Sequence, residues 1–332
     1  MRNNKILKLL IFVLILFCYS NALAREVLIK DKLGRIIKLK IPVKRAVIIL
    51  TPDLIPALNL WNQVVGVSNW VCREYRFFNF IKPGWIDRIT PIGGGMGRNI
   101  NVETILHLKP DVIITGAFYP GVVNFMERKG LKVIAINPQT IADYYKVIKM
   151  FGLIFGKEKR AEFVVKEMKK ILKLVSLRLK NVKREKKVLW VYRASPLGIA
   201  CKKTITVDIL HKLKLINIGP LINPGCNKPL IEVPLESVVK FDPDVIFLWG
   251  YSTLYPRDIY RNPGWQAIKA VKKKRVYRVP RKLGTWTPSL ALLALWIAKK
   301  VYPERFKDIN FLLYANSFCK KVYHIPYTMI NY

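Results

Sequence analysis

One phrase occurs twice in this chain of 332 residues. NVETILHLKPDVIITG begins at Asn101 and PLESVVKFDPDVIFLWG at Pro234, and Glu103, Pro110 and Asp111 return as Glu236, Pro243 and Asp244 after the same interval of 133 positions. Each copy holds a stretch with helical spacing of apolar residues, then a Pro-Asp turn, then an unbroken apolar run. Such a run suits a parallel strand covered on both faces. The repeat therefore calls for two similar α/β halves, each with helix, turn and buried strand in the same place.

Residues 1–24 belong to neither half. MRNNKILK is basic, LLIFVLILF is apolar and Ala22-Leu23-Ala24 is an A-x-A exit, which is the layout of a secretory signal cleaved after Ala24. The apolar run is far shorter than the ~20 residues a helix needs to cross a bilayer. A lipid anchor on Cys18 is disfavoured by Phe17, because lipoprotein signals place a small residue there. Arg2, Lys5 and Lys8 leave with the leader and no acid does, so 55 basic and 21 acidic residues remain, a net +34. That charge attracts nucleic acid, anionic lipid or an anionic ligand. Export argues against nucleic acid, and solvated lysine faces are the plainer account of the excess.

The cysteines left after the leader are Cys72, Cys201, Cys226 and Cys319, an even number compatible with disulfides and free of any C-x-x-C pair. His107, His211 and His324 are scattered. No side chain is assigned to a metal and no cofactor motif is present.

Along the chain, REVLIKDKLGRIIKLK alternates about Lys32-Leu33-Gly34 and reads as a hairpin. RAVIIL, VVGVSN, DVIITG and KVIAIN read as strands, with DLIPALNLW and NVETILHL as helices between them. IGGGMGR reads as a tight turn leading into the second of these helices. KEKRAEFVVKEMKKILKLVSLRLKNVKREKK has no Gly or Pro and reads as one long amphipathic helix. KVLWVYR, DVIFLWG and RVYRVP then give further strands, with TVDILHKLKL, PLESVVKF, GWQAIKAV and LALLALWIAKKVYP as helices. The expected organisation is a leader at 1–24, an α/β lobe at 25–155, a connecting helix at 156–185 and a second α/β lobe at 186–332. Both lobes are Rossmann-like with parallel-type sheets. Ligands of open α/β sheets lie beyond the carboxyl ends of the strands, and two lobes can turn those ends toward one cleft.

With these segments in order, the chain resembles the substrate-binding proteins of ATP-driven importers for ferric siderophores, haem and cobalamin, whose two lobes are joined by one long helix. The resemblance runs from about Glu26 to Tyr323. It is carried by KDKLGRIIKLKIPVKRAVIILTP, VVGVSN, IGGGMGRNINVETILHLKPDVIITG, LESVVKFDPDVIFL, NPGWQAIKAVKKKRVYRVP and WTPSLALLALWIAKKVYPERF. It implies capture of a metal chelate without chemistry, in the periplasm, by a monomer that delivers cargo to an ABC permease dimer in the cytoplasmic membrane. A ferric siderophore is the leading ligand, with cobalamin, haem or a nickel or cobalt chelate as alternatives. Glu103 and Glu236 resemble the paired acids, one per lobe, with which such proteins dock onto permease arginines. Two pseudo-equivalent lobes can show the same charge twice to a two-fold partner. Helix-dipole stabilisation in a first turn is the structural alternative for both acids.

Candidate ligand contacts are aromatic and basic residues just past strand ends, namely Trp70, Arg73, Tyr75, Tyr119, Arg193, Tyr251 and Tyr255, together with Trp286 in the GTWTPS loop and Arg98. Aromatic walls and planar guanidinium groups suit a flat chelate bearing carboxylates or catecholates. Two departures from the family pattern leave ligand identity open. DLIPALNLW stands where many members have a glutamate, and Cys201-Lys202-Lys203 stands where glycine is common. The rival from another class is an exported two-domain enzyme of glycosyltransferase type, with IGGGMGR holding a phosphate. That segment lacks GK[ST] and the G-x-G-x-x-G spacing, and no Ser/His/Asp set is visible.

Overall fold

The computed structural model describes residues 25–95, 97–183, 186–195 and 197–330. The expected leader and its cleavage point after Ala24 lie outside the described residues. Alternation makes the first segment a hairpin: β1 (Arg25–Lys30) pairs antiparallel with β2 (Ile36–Ile41) and turns Ile29, Ile37, Leu39 and Ile41 inward. Asp31 closes its turn by accepting the backbone N–H groups of Leu33 and Arg35.

The first sheet is parallel throughout. Its strands are β3 (Ala46–Ile48), β4 (Val64–Val67), β5 (Thr90–Pro91), β6 (Val112–Gly116) and β7 (Val133–Ile136), in the order β5-β4-β3-β6-β7. Helices α1 (Leu54–Leu58), α2 (Asn69–Glu74), α3 (Val102–Leu108), α4 (Pro120–Arg128) and α5 (Ile141–Phe155) connect or follow these strands. The second sheet contains β8 (Lys187–Arg193), β9 (Gly198–Ala200), β10 (Ile216–Asn217), β11 (Leu230–Glu232), β12 (Val245–Leu248) and β13 (Val276–Arg278). Its order is β11-β9-β8-β12-β13, with β10 also on β8. Strands β8, β10, β12 and β13 are parallel, as the sequence leads one to expect, whereas β9 and β11 run antiparallel at one edge. A Cys201–Cys226 disulfide joins the chain just after β9 to the chain just before β11.

The repeat has a structural cause. Helices α3 and α8 (Leu235–Phe241) are both seven residues long and both end in a left-handed residue, Lys109 at φ 44° and Asp242 at φ 45°. The aspartates that follow lock each strand ladder at its start. Asp111 accepts the backbone N–H groups of Lys44 and Arg45, at 2.8 Å each, and Asp244 accepts that of Lys187 at 2.8 Å. In return, Arg45 donates to the carbonyl of Leu108 and Lys187 to that of Phe241, so a cation covers the open carbonyl end of each helix.

The spine is α6 (Glu158–Arg178), 21 residues and so about 32 Å long. It is shorter than the 156–185 segment expected from sequence. Gly156, at φ 67°, ends α5, and α6 stops at Arg178, because in LKNVKREKK only Leu179 and Val182 are apolar and no core-facing stripe continues. Helix α7 (Ile205–Lys212) lies against the second sheet, and α9 (Leu290–Val301), buried nearly all round, lies along α6. The last helix, α10 (Phe311–Tyr323), returns to contact α1 of the first lobe as well as α6. Arg160 at the start of α6 ties this junction, donating to Ala57 O (2.7 Å), Lys321 O (2.9 Å) and Val322 O (2.8 Å). One continuous core accordingly runs from the first sheet through α5, α6 and α9 to the second sheet, while each sheet has a separate core on its other face. Among the described residues no helix is long and apolar enough to cross a membrane.

Candidate ligand cleft

The carboxyl ends of the two sheets meet. Beyond β4, Trp70 on α2 sets its ring 5.6 Å from that of Tyr251, which follows β12. Beyond β6, Phe118 stacks on Trp286 at 5.4 Å, and the Trp286 indole donates to Pro138 O beyond β7 at 3.3 Å. One turn after Trp70, Glu74 faces Arg281 of the second lobe, Oε2 to Nη1, at 3.7 Å. Three aromatic or ionic contacts thus bridge the lobes where open α/β sheets place their ligands.

The sequence candidates divide between this cluster and its surroundings. Trp70, Tyr251 and Trp286 are half-buried members of it. Tyr75 supports it from inside: only 3% exposed, it packs edge-on to Trp70 at 5.1 Å and donates its hydroxyl to Asp53 at 3.0 Å. Burial, reinforced by the Asp53 charge, pushes the Tyr75 phenol well up, so it remains a donor. Arg73, on the same helix as Trp70, and Arg98 are exposed, and neither has an ion-pair partner among the described residues. Tyr119 is exposed at the start of α4. Arg193 and Tyr255 make their contacts within the second lobe, Arg193 to Glu232 and Tyr255 beneath the Arg278 guanidinium at 3.9 Å.

Four residues of the cluster escaped sequence reading: Glu74, Phe118, Arg278 and Arg281. The two arginines had a signal, since in RVYRVPRKL Arg278 ends the strand beside β12 and Arg281 follows it, much as the chosen residues follow theirs. Arg278 donates to Gly250 O and Ser252 O, fixing the loop that carries Tyr251, and Arg281 lies 5.0 Å over the Tyr251 ring. The glycine segment is a tight turn, with Gly94 N–H on Asn99 O and Arg98 N–H on Gly95 O. A side chain at Gly97, φ +89°, would press on Thr115 Oγ1 at 2.8 Å.

Glu103 and Glu236 occupy the same second position of α3 and α8, exposed, without an ion-pair partner among the described residues. The described residues contain no cluster of three or more His, Cys, Asp or Glu that could hold a metal ion.

Comparison with known proteins accords with this architecture. A family model described as periplasmic binding protein matches residues 51–283. The molybdate-binding protein MolA of Haemophilus influenzae is 27% identical over 98% of this chain and 99% of its own. The ABC transporter substrate-binding lipoprotein YvrC of Bacillus subtilis, uncharacterized, is 26% identical over 76% and 77%. Among solved structures, Helicobacter pylori CeuE in complex with Ni-His is 26% identical, with a TM-score of 0.81 over 92% of this chain and 98% of that one. Two α/β lobes on a helical spine, aromatic and ionic contacts between their facing strand ends and these likenesses together place the chain: it belongs to the periplasmic binding protein family and is a substrate-binding protein of an ABC transporter, a class that binds a small ligand and works with a membrane permease.

Proposed function

We propose that the cleft captures an anionic metal chelate, a ferric siderophore foremost, and that the protein presents it to a permease dimer through Glu103 and Glu236. The observation that carries this reading is the meeting of Trp70 with Tyr251 and of Phe118 with Trp286, with arginines at the same edge. Aromatic faces suit the organic part of a chelate and guanidinium groups its carboxylates or catecholates. Arg73, on the helix of Trp70, and Arg98 are exposed and have no ion-pair partner among the described residues, so they add positive charge.

Relatives support a metal-centred cargo and widen its range. MolA is named for molybdate, the CeuE structure is a Ni-His complex, and YfmC of Bacillus subtilis, 28% identical over 61% of this chain and 64% of its own, is named an Fe(3+)-citrate-binding protein. Cobalamin, haem and a nickel or cobalt chelate are the alternatives, cobalamin being the neutral one. The working form is an exported monomer in the periplasm, with residues 1–24 removed after Ala24.

Quenching of intrinsic tryptophan fluorescence tests the reading, because Trp70 and Trp286 are half-buried in the contact cluster between the lobes. The chain from Arg25 is titrated with ferric siderophores, ferric citrate, molybdate, Ni-His, haemin and cobalamin. Saturable quenching by an anionic metal complex, diminished in Trp70→Phe, is expected. Quenching by cobalamin alone overturns the anionic assignment, and turnover of a nucleotide sugar with no chelate bound overturns the transport role.

A further inference from the structure

Two residues one helical turn apart, Trp70 and Glu74, lie on the same side of α2, and both reach the second lobe. Their targets are also joined to each other: Trp70 meets Tyr251, Glu74 meets Arg281, and the Arg281 guanidinium lies over the Tyr251 ring. The i, i+4 spacing makes this a two-point clasp, one point aromatic and one ionic. The ionic point is half-open to solvent, with side-chain exposures of 28% for Glu74 and 43% for Arg281, so a ligand can reach it. Arg281 is held from behind by its Nε donating to Gly250 O at 3.3 Å, which leaves its terminal nitrogens to Glu74.

We propose that Glu74 is a specificity-determining residue. It is the resident anion of Arg281, and an anionic ligand must displace it in order to bind. This rests on the anionic-cargo reading above and deepens it. A carboxylate or oxyanion of the cargo takes the place of the Glu74 carboxylate on Arg281, so binding is an exchange of one ion pair for another. The wild-type protein consequently binds anions more weakly than its arginines alone allow, and a neutral ligand, which cannot replace the lost pair, is selected against. Glu74 also repels any anion that fails to reach Arg281 itself. The exchange releases the ionic point of the clasp at the moment of capture and leaves Trp70 on Tyr251, so occupancy of the site alters the contact between the lobes.

A double-mutant cycle tests the exchange. Molybdate and ferric citrate as anionic probes, and Ni-His, which is not an anion, as the comparison, are titrated calorimetrically against wild type, Glu74→Gln, Arg281→Gln and the double variant. A half-exposed ion pair of this length corresponds to about a fivefold change in Kd. Glu74→Gln should tighten binding of the anionic probes about fivefold, Arg281→Gln should weaken it, and the gain from Glu74→Gln should vanish when Arg281 is absent. An unchanged Kd in Glu74→Gln, or a gain that persists beside Arg281→Gln, overturns the proposal while leaving the anionic-cargo reading in place. Should no probe bind wild type, binding that appears in Glu74→Gln supports the exchange, and binding by neither protein overturns it. Amide exchange across residues 69–74 of the ligand-free protein gives a readout independent of any probe. Faster exchange in both Glu74→Gln and Arg281→Gln is expected, and unchanged rates overturn the clasp.

Discussion

Removing the Cys201–Cys226 disulfide gives the sharpest quantitative test of the fold. The bond closes a loop of 25 residues containing α7 and β10, and it does so at the antiparallel edge of the second sheet. Loop-closure entropy for that length corresponds to about 3.5 kcal/mol lost from the folded state when both cysteines become serine. For a cooperative unit the size of one lobe that is a fall in Tm of about 7–14 °C. The loop is also tied at its base by the Asn217 side chain, which donates to Ala200 O (3.0 Å) and Cys201 O (2.9 Å), and by Lys202, whose Nζ donates to Pro224 O (2.9 Å). Cys201→Ser/Cys226→Ser, purified from Arg25 onward, is compared with wild type by thermal circular dichroism, with and without reductant. Reductant should lower the wild-type Tm to that of the variant and leave the variant unmoved. Thiol titration in denaturant without reductant should find two reactive thiols in wild type, Cys72 and Cys319. Four thiols, or a Tm that the double substitution leaves in place, would refute the pairing and the account of that edge.

Three further outcomes follow from the site and its scaffold. Glu103→Ala with Glu236→Ala should cut chelate uptake in cells at least tenfold, by loss of two charged contacts to the permease, with ligand Kd and Tm unchanged; undiminished uptake at normal expression removes the docking role. Asp111→Ala should cost about 1.5–3 kcal/mol in urea unfolding, because two backbone N–H groups lose a charged acceptor, and Asp111→Asn, which keeps an oxygen in place, should cost less. Burial alone would raise the Asp244 carboxyl, but the Lys269 ammonium and the Lys187 N–H more than offset it and hold it below the usual range. A depressed folded-state pKa stabilises above the unfolded value, near 4, and that stability is lost as pH falls through the lower folded value. The urea midpoint of wild type should therefore drop below about pH 4, and that of Asp244→Asn should drop less.

Local chemistry made much of this legible in sequence. The interval of 133 residues carried over to the structure, since α3 and α8 have the same length, the same left-handed end and an aspartate after it that accepts backbone N–H groups at the start of a neighbouring strand. The strands showed because each is a short apolar run. The features that did not show depend on partners distant in the chain. Thr90–Pro91 and Gly198–Ala200 are too short for a period and exist because a neighbouring strand accepts them. The end of α6 is set by the loss of a core-facing stripe, which helix propensity does not register. Of the ligand candidates, Trp70 and Tyr251 meet because each follows a strand end, and Trp286, in the loop between β13 and α9, reaches Phe118. Tyr75 has the same position in sequence but turns inward, where Asp53 gives its hydroxyl a buried acceptor. Glu74 drew no notice because an acid ending a short helix looks like ordinary surface until Arg281 is placed opposite.

The return of α10 to the first lobe has a mechanical consequence. Polypeptide passes from one lobe to the other twice, along α6 and again into α10, and Arg160 rivets the second passage to the start of the first. Separating the lobes must shear helices already seated against each other, and interlocked side chains tolerate sliding by an ångström or so rather than wide rotation. Such a body is closer to a stiff pair of tongs than to a hinged shell. If docking runs through Glu103 and Glu236 as proposed, a permease that senses whether the protein is loaded has to read a slight change of spacing between them, not a gross change of outline.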